Sequence, residues 1–254
     1  MKMPVLFVGH GSPMNAIEDN AFTRTWSHVG KQLPKPKAIL SISAHWYTEL
    51  TRISDVQNPR LVYDMYGFPP KLYEVKYPVK GAPELANQLK DFLGDQVVVD
   101  NQWGIDHGTW SVLVHLFPDA DVPVVQLSID QTLSPEQHFK LAETLKELRN
   151  EGIMILGSGN IVHNLHKVNW GMQGGYDWAY AFDDYIKSNI VSGKFENVIA
   201  YERAGSSHKE AFYTLEHFLP LLYVLGCVAE TDALTVFNDV CTLGSISMTG
   251  YLFK

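Results

Sequence analysis

The sequence has few cysteines, no long hydrophobic run and an excess of negative charge. Its two cysteines, Cys227 and Cys241, do not form a disulfide framework and are typical of reduced, buried thiols. No segment approaches the roughly 18 uninterrupted apolar residues of a membrane-spanning helix, and the first residues lack the apolar core of a signal peptide. The formal charge of −8 argues against nucleic acid, which binds a concentrated basic face. We therefore expect a cytoplasmic protein with neither a nucleic-acid nor a membrane partner.

Short motifs of several catalytic classes are also absent. The chain has no HExxH zinc-protease helix, no P-loop and no CxxC pair. The Gly157-Ser158-Gly159 segment differs from a GxSxG nucleophile elbow, and no obvious acid partner marks Ser158 as a nucleophile. The function must therefore be sought in other residues.

The apolar pattern predicts alternating strands and helices. Apolar runs without alternation predict strands buried on both faces at residues 4–8, 38–43, 122–129 and 153–156. Helical spacing predicts helices at 82–93 and 134–150, and residues 245–253 alternate like an antiparallel or edge strand. We therefore expect one α/β domain over residues 1–254, a sandwich with a central mixed, largely parallel sheet flanked by helices.

Two histidines stand where predicted strands end. His10 lies between glycines after the first strand, and His45 follows the second strand in the same arrangement. A single histidine of this kind is more often a hydrogen-bonded turn residue. Because ligands gather at the carboxyl ends of strands in such folds, two imidazoles there can reach one divalent ion. The pair therefore favours a metal site.

A metal needs at least one more protein ligand, and the sequence offers several. His163 follows the strand predicted at 153–156 and could open a helix beside the other two histidines; His166, three residues on, is better explained as a solvated residue. Glu216 and His217 precede an apolar run, and helix phase does not choose between them. The third ligand stays open from the residues alone.

The remaining histidines differ in context. His107 lies in a Gly-bracketed loop near aromatic residues, which suits an acid or base that faces substrate, although a structural turn stabilised by Asp106 is an equal alternative. His115 is expected to pack on a helix. Three further histidines are expected to be exposed: His28, His138 and His208.

Six segments give the sequence a specific likeness to a known family: 9–15 (GHGSPMN), 43–46 (SAHW), 106–110 (DHGTW), 126–130 (QLSID), 157–164 (GSGNIVHN) and 216–226 (EHFLPLLYVLG). Each segment is short, but their order and spacing are specific. In these segments the chain resembles the class III extradiol ring-cleavage dioxygenases, and most closely their 4,5-DOPA dioxygenase branch. The resemblance extends over nearly the whole chain.

The resemblance implies a non-haem Fe(II) enzyme that opens a catechol ring, such as that of DOPA by 4,5-cleavage, with O2. His10 and His45 would be metal ligands. The third ligand is a glutamate in the wider class and a histidine in this branch, which corresponds to His217. His163 matches a residue described as a further ligand or as the catalytic base, and His107 matches one that contacts substrate or oxygen. Members of the branch are also often found with zinc.

Other interpretations of the same residues are a zinc-dependent hydrolase, in which the histidines hold Zn²⁺ and generate hydroxide, and a non-catalytic metal- or ligand-binding protein of the same fold. The aromatic residues Tyr63, Tyr66 and Phe68 are candidates for the wall of a ring-binding site, with a plain packing role as the alternative.

Overall fold

The chain folds as alternating strands and helices, and the structure, a computed structural model, describes residues 2–254. The strands in this range are β1 (Val5–Gly9), β2 (Ala38–Thr48), β3 (Thr51–Ile53), β4 (Val97–Val99), β5 (Val124–Asp130), β6 (Ile153–Gly159), β7 (Leu234–Phe237), β8 (Cys241–Thr242), β9 (Ile246–Ser247) and β10 (Gly250–Phe253). The α-helices are α1 (Ala21–Gln32), α2 (Pro70–Tyr73), α3 (Pro83–Leu93), α4 (His107–Leu116), α5 (Pro135–Leu145), α6 (Asp177–Val191), α7 (Phe195–Ile199), α8 (His208–Ala211) and α9 (Leu219–Gly226).

Eight strands form one mixed sheet in the order β4-β3-β5-β2-β6-β1-β10-β7. Its centre, β5-β2-β6-β1, is parallel throughout. Towards the two sides β3 joins β5, and β10 joins both β1 and β7, in antiparallel orientation. The predicted sandwich around a mixed, largely parallel sheet is confirmed. The C-terminal strand is antiparallel, as predicted, but lies inside the sheet instead of at its edge.

The central strands are buried on both faces, which explains their unbroken apolar runs. Along β1, Val5 and Phe7 join one hydrophobic cluster, whereas Leu6 and Val8 join the cluster on the other face. Successive side chains of a strand point to opposite faces, so both faces must be apolar where helices cover both. Helices α3, α5, α6 and α9 contribute to the first cluster, and α1 and α4 to the second.

The two predicted helices begin and end at recognisable signals. In α5, Ser134 accepts from the Gln137 backbone N–H while the Gln137 side chain accepts from the Ser134 N–H, which is a capping box. Its last predicted turn, Lys146–Arg149, is a 3-10 helix. Helix α3 begins with Pro83 and is followed at its carboxyl end by the C-cap residue Gly94, whose φ of 58° only glycine adopts readily.

Several helices lie outside the predicted set. Helix α9 has every residue buried, and α4 is buried over most of its length, so neither shows the polar face that makes helical spacing visible in a sequence. Helix α4 begins at His107, directly after its N-cap Asp106. The prediction that His107 lies in a loop was therefore wrong, because the Asp-His-Gly-Thr segment opens a helix.

Strand β2 extends beyond its predicted end. It was expected over residues 38–43, but it continues to Thr48, and its pairing with β5 shifts register between Ile42 and Tyr47. His45 lies in this irregular stretch. His45 therefore does not end the strand. It lies at the carboxyl edge of the sheet, where the regular pairing of β2 with β5 is interrupted.

Two expectations from composition concern the whole chain. Cys227 and Cys241 are both free and buried, as expected of reduced thiols. Among residues 2–254, no helix combines the length and the apolar character that crossing a bilayer requires.

Candidate metal centre

Three histidines converge at the carboxyl ends of β1, β2 and β6. His10 follows β1 directly, His45 lies in the shifted stretch of β2, and His217 lies in the turn before α9, beside the end of β6. One ring nitrogen from each lies within 4.8 Å of the others. The structure thus brings together three of the four predicted metal ligands at the strand ends, where ligands gather in α/β sheets.

The hydrogen-bond partners of His10 fix its tautomer. Its Nδ1 lies 3.0 Å from the Ser158 hydroxyl, which itself donates to the Gly108 carbonyl at 2.5 Å. Because the hydroxyl proton is already used, Ser158 accepts the Nδ1 proton of His10 and leaves Nε2 unprotonated. Gly11, with a φ of 61°, provides the sharp turn after the histidine.

Asp64 orients two further imidazoles. One carboxylate oxygen, Oδ1, lies 3.0 Å from Nδ1 of His107 and accepts from the His107 backbone N–H at the same distance. The other, Oδ2, lies 3.0 Å from Nδ1 of His45, a charge contact without good hydrogen-bond alignment. A carboxylate beside Nδ1 keeps the proton on that atom, so Nε2 of His45 faces the centre.

The spacing of the facing nitrogens fits a divalent metal ion. The Nε2 atoms of His10 and His45 lie 3.2 Å apart. Two nitrogen ligands of one ion, each about 2.0–2.2 Å from it, lie about 3.0–3.4 Å apart. With Nδ1 protonated on both rings, this contact needs a positive charge between the two nitrogens, either the proton of an imidazolium or a metal ion. Neutral imidazoles suit both iron and zinc.

His217 completes the group through close contact with β6. Its carbonyl accepts from the Asn160 N–H at 2.8 Å, and a Cβ atom at Gly159 would lie 2.0 Å from that same oxygen. Only glycine permits this approach. The Nδ1 of His217 lies 3.2 Å from the Glu216 carboxylate, and of these two neighbours only His217 belongs to the group with His10 and His45. The geometry favours His217 over Glu216 as the third ligand.

His163 lies beside this group, not within it. Its ring stacks on that of His217, with centroids 3.4 Å apart and planes 6° apart, and its nitrogen clusters with Glu216 and His217. It does not open a helix, because its backbone bridges to Phe212 and Ile246, and the following 3-10 helix begins at Leu165. Burial lowers the pKa of His163 to about 4.

The protonation states at the centre follow from burial and from Asp64. Burial lowers the pKa of His10 and of His217 well below the usual value, and neighbouring imidazoles lower both further. Burial acts in the same direction on His45, but contact with Asp64 and nearby carboxylates outweighs it and raises that pKa. Although burial opposes it, contact with His107 and His45 holds the pKa of Asp64 below its usual range. Asp64 is therefore a carboxylate at neutral pH.

The imidazoles form the floor of a cavity of about 400 Å³ whose walls are mostly apolar. One wall segment contains Met65, Tyr66 and Phe68, and another contains Leu165, Val168 and Trp170. Two of the three predicted aromatic wall residues thus line the cavity. Tyr63 does not; it packs on Trp110 and donates its hydroxyl to the Val75 carbonyl at 2.6 Å.

The other histidines lie elsewhere. His28 and His166 are exposed, as expected, and His208 is partly exposed. His115 is on α4 as expected, and its ring packs against Trp26. The prediction for His138 was wrong: it is fully buried on α5, with Nδ1 3.0 Å from the Tyr223 hydroxyl on α9.

Sequence reasoning missed the groups that orient the histidines. Asp64 lies in an irregular loop more than 40 residues before His107 in the chain, so no spacing rule connects them. Ser158 was considered only as a nucleophile and set aside, yet its hydroxyl holds His10. A search for a hydrogen-bond acceptor behind each candidate ligand is the signal that would have pointed to both.

Fold and site together define a class. A parallel sheet centre with imidazoles at its carboxyl edge, under a mostly apolar cavity, is typical of enzymes that hold one metal ion beside a small organic substrate.

Comparison with known proteins identifies the family within that class. Residues 4–253 match the LigB family, described as the catalytic LigB subunit of aromatic ring-opening dioxygenase. The chain is 44% identical to the protein named 4,5-DOPA dioxygenase extradiol from Escherichia coli (strain K12), covering 97% of this chain and 93% of that protein. Its identity to the Beta vulgaris protein of the same name is 36%, covering 97% and 95%. The crystal structure of an uncharacterized protein from Escherichia coli K12 superposes with a TM-score of 0.86 at 39% identity, covering 100% of both chains. The chain therefore belongs to the LigB family of aromatic ring-opening dioxygenases, which are class III extradiol enzymes.

Proposed function

We propose that this enzyme opens the ring of a catechol with O2 at a mononuclear non-haem metal. The observation that carries the proposal is the convergence of His10, His45 and His217, with the Nε2 atoms of the first two 3.2 Å apart. The family match over residues 4–253 supports the reaction class. The names of the curated relatives support DOPA, cleaved at the 4,5 position, as one substrate.

The metal would be held by His10, His45 and His217. As the family resemblance implies, Fe(II) is the ion expected for activity and Zn(II) is expected in the purified protein; neutral imidazoles can bind either ion. When bound, the iron supplies the redox chemistry that joins O2 to the catechol. An ion held by three protein ligands would have coordination positions left for the catechol and for O2.

The proton transfers are assigned to His163 and His107. A catechol must lose a hydroxyl proton, and we assign its acceptance to His163, whose ring lies beside His217 and, because burial lowers its pKa to about 4, is unprotonated at neutral pH. Its stacking on His217 fixes the ring beside the metal ligands, so we assign it the role of base in preference to that of a fourth ligand. His107, held by Asp64, would assist by a hydrogen bond to substrate.

The proposal is tested by loading the protein with Fe(II) under anaerobic conditions and adding O2 with DOPA, caffeate or protocatechuate. We expect O2 uptake with at least one of these catechols, together with a change in the absorption spectrum of the reaction mixture that indicates a ring-opened product. Absence of uptake with all three would overturn the oxygenase proposal. Metal-dependent ester or amide cleavage in its place would indicate a zinc hydrolase, and catechol binding without turnover would indicate a binding protein.

Two expectations from the sequence remain proposals. We place one extradiol dioxygenase domain over residues 1–254, supported by the family match to 4–253. We also place the protein in the cytoplasm, which cell fractionation would test.

A further inference from the structure

We propose that Asp183 is a positioning residue for the metal centre and for the base, although it does not line the cavity. It acts by holding residues 246–249 against the chain segments that carry His10, His163 and His217. This role rests on the ring-cleavage function proposed above and names a further residue on which that function depends.

Asp183 places a carboxyl group on the buried face of a helix that is otherwise apolar there. It lies in the middle of α6 and is 2% exposed, and the other buried residues of this helix are apolar. Burial opposes its charge and raises its pKa to about 6. Lys187, one turn further along, forms its ion pairs with Asp184 and Asp239. A carboxyl group buried at this cost needs hydrogen-bond donors, and these donors indicate its role.

The donors to Asp183 lie in the segment between β9 and β10. The Ser247 hydroxyl donates to Oδ1 at 2.5 Å, and the Thr249 hydroxyl donates to Oδ2 at 2.8 Å. Strand β9 has two residues and pairs with β8, which is equally short, so this pairing alone holds the segment weakly. The carboxylate therefore fixes the chain on both sides of Met248.

The anchored segment reaches the proposed base through the backbone. Ile246 pairs with His163 in an antiparallel bridge, and the Ser247 N–H donates to the Val162 carbonyl at 2.9 Å. The Ile246 side chain also lines the cavity. A shift of this segment would therefore displace the ring that is assigned to accept the catechol proton.

The same segment reaches a proposed metal ligand through Asn160. The Ser247 carbonyl accepts from the Asn160 side-chain amide at 2.7 Å. The backbone N–H of Asn160 in turn donates to the His217 carbonyl at 2.8 Å. Because Asn160 is fully buried, no water replaces these bonds when one partner moves. The position of Ser247 is thus coupled to that of His217.

A second proposed ligand, His10, is flanked by glycines that pack on Met248. A Cβ atom at Gly9 would lie 2.7 Å from the Met248 carbonyl carbon, and one at Gly11 would lie 2.5 Å from its Sδ. Met248 therefore contacts the residue on each side of His10 at a distance that only glycine permits. Asp183, which holds the residues on each side of Met248, thereby supports this contact as well.

Two substitutions at Asp183 test its role in turnover. Asp183→Ala leaves two buried hydroxyls without their acceptor. We expect kcat for catechol cleavage to fall roughly 10–100-fold with a smaller rise in KM, because the base and ligands shift while most of the cavity wall stays in place. Asp183→Asn keeps the size of the side chain, and its amide accepts from one hydroxyl and donates to the other. It should therefore retain most of the activity.

Cobalt(II) provides a measurement that does not depend on turnover. Its visible absorption depends on the number and arrangement of its ligands, so the spectrum of Co(II)-loaded protein without O2 reports on the metal centre. We expect Asp183→Ala to change this spectrum and to weaken Co(II) binding about tenfold in competition with a chelator, whereas Asp183→Asn should keep both close to the original. If Asp183→Ala does not fold, Ser247→Ala and Thr249→Ala each remove one of the two hydrogen bonds and should give smaller changes in the same direction.

A control at another buried acid separates positioning from general loss of stability. The Asp232 side chain is inaccessible to solvent, pairs with Arg149 at 2.6 Å and does not line the cavity. Asp232→Ala should lower the midpoint of urea unfolding at least as far as Asp183→Ala. The Co(II) spectrum and kcat per bound metal should nevertheless stay unchanged in the folded protein.

The outcomes separate this inference from the ring-cleavage proposal. If catechols are cleaved but folded Asp183→Ala keeps the original kcat, spectrum and Co(II) affinity, the inference is overturned and the function stands. If no catechol is cleaved but Asp183→Ala still changes the spectrum and weakens Co(II) binding, the function fails and the positioning of the metal centre holds. Equal changes in Asp183→Ala and Asp232→Ala would also overturn the inference.

Discussion

Two buried histidine environments in this protein have opposite consequences. At the sheet edge, the Nδ1 atoms of His10 and His45 face Ser158 and Asp64, and their Nε2 atoms converge. In the core, His138 contacts the Tyr223 hydroxyl through Nδ1, and within the described residues its Nε2 has no hydrogen-bond partner. Burial alone therefore does not make a metal site. The candidate metal centre differs in the convergence of its ring nitrogens, with a hydrogen-bond acceptor beside the other nitrogen of each ring.

The largest effect is expected from removing one of the converging nitrogens. In His10→Ala the pair that brackets the ion is lost, so we expect no retained metal after dialysis and no measurable ring cleavage. Metal content by mass spectrometry and O2 uptake provide the measurements. His28→Ala, at an exposed histidine, is the control and should retain both; full metal occupancy in His10→Ala would contradict the assignment.

Removal of the proposed base should slow turnover without emptying the site. We expect His163→Ala to lower kcat by roughly 10²–10⁴-fold with metal content unchanged, because the ring stacks on His217 but lies outside the group of three. The matched control is His166→Ala, an exposed histidine three residues along the chain. Loss of metal in His163→Ala would make this residue a ligand instead.

A smaller effect is expected from a substitution that keeps the proposed metal ligands but removes a contact that orients them. Asp64→Asn preserves size but removes the charge that faces His45 and His107, so metal affinity or activity should fall roughly 10–100-fold. A competition titration with a chelator measures the affinity. A control in the same charge class is Asp55→Asn, which changes an acid outside the cavity lining. Unchanged affinity and unchanged activity would remove Asp64 from the positioning role.

The smallest effect concerns the core histidine, and it concerns stability. Burial lowers the pKa of His138 to about 4, below the usual 6.5 of an unfolded chain. The unfolded state therefore binds the proton first as the pH falls, and the folded state loses up to a few kcal/mol of stability between pH 6.5 and 4. In His138→Phe this part of the pH dependence should vanish, although the variant also leaves the Tyr223 hydroxyl without a partner. Urea unfolding of both proteins across this range measures the difference, and parallel pH curves would refute it.

Prediction from sequence worked where the signal was local. The strands at the centre of the sheet are apolar on both faces. The residues that mark the ends of α3 and α5 lie next to those helices in the chain. It failed for α9, because a helix buried on all sides has no polar face to set its period. His138 was misjudged for a related reason: its neighbours Gln137 and Phe139 do not reveal that α9 covers it.

For the site, the residue types were predictable but their partners were not. His10 and His45 could be paired from strand ends alone. His163, His107 and the neighbours Glu216 and His217 were candidates from their context, and the family resemblance favoured His217 and implied the roles of the other two histidines. Asp64 and Ser158 reach the imidazoles only through tertiary folding, since each lies far along the chain from the histidine it contacts. Such contacts have no periodic or spacing signal in a single sequence.

The end of β6 has one more consequence. Ser158 holds the ring of His10, Gly159 leaves room for the His217 carbonyl, and the Asn160 N–H binds that carbonyl. These three consecutive residues thus position two imidazoles that come from opposite ends of the chain. A substitution at this strand end would therefore disturb both imidazoles at once. Residues 158–160 thus bear on the relative placement of two proposed metal ligands, although none of the three is itself proposed as a ligand.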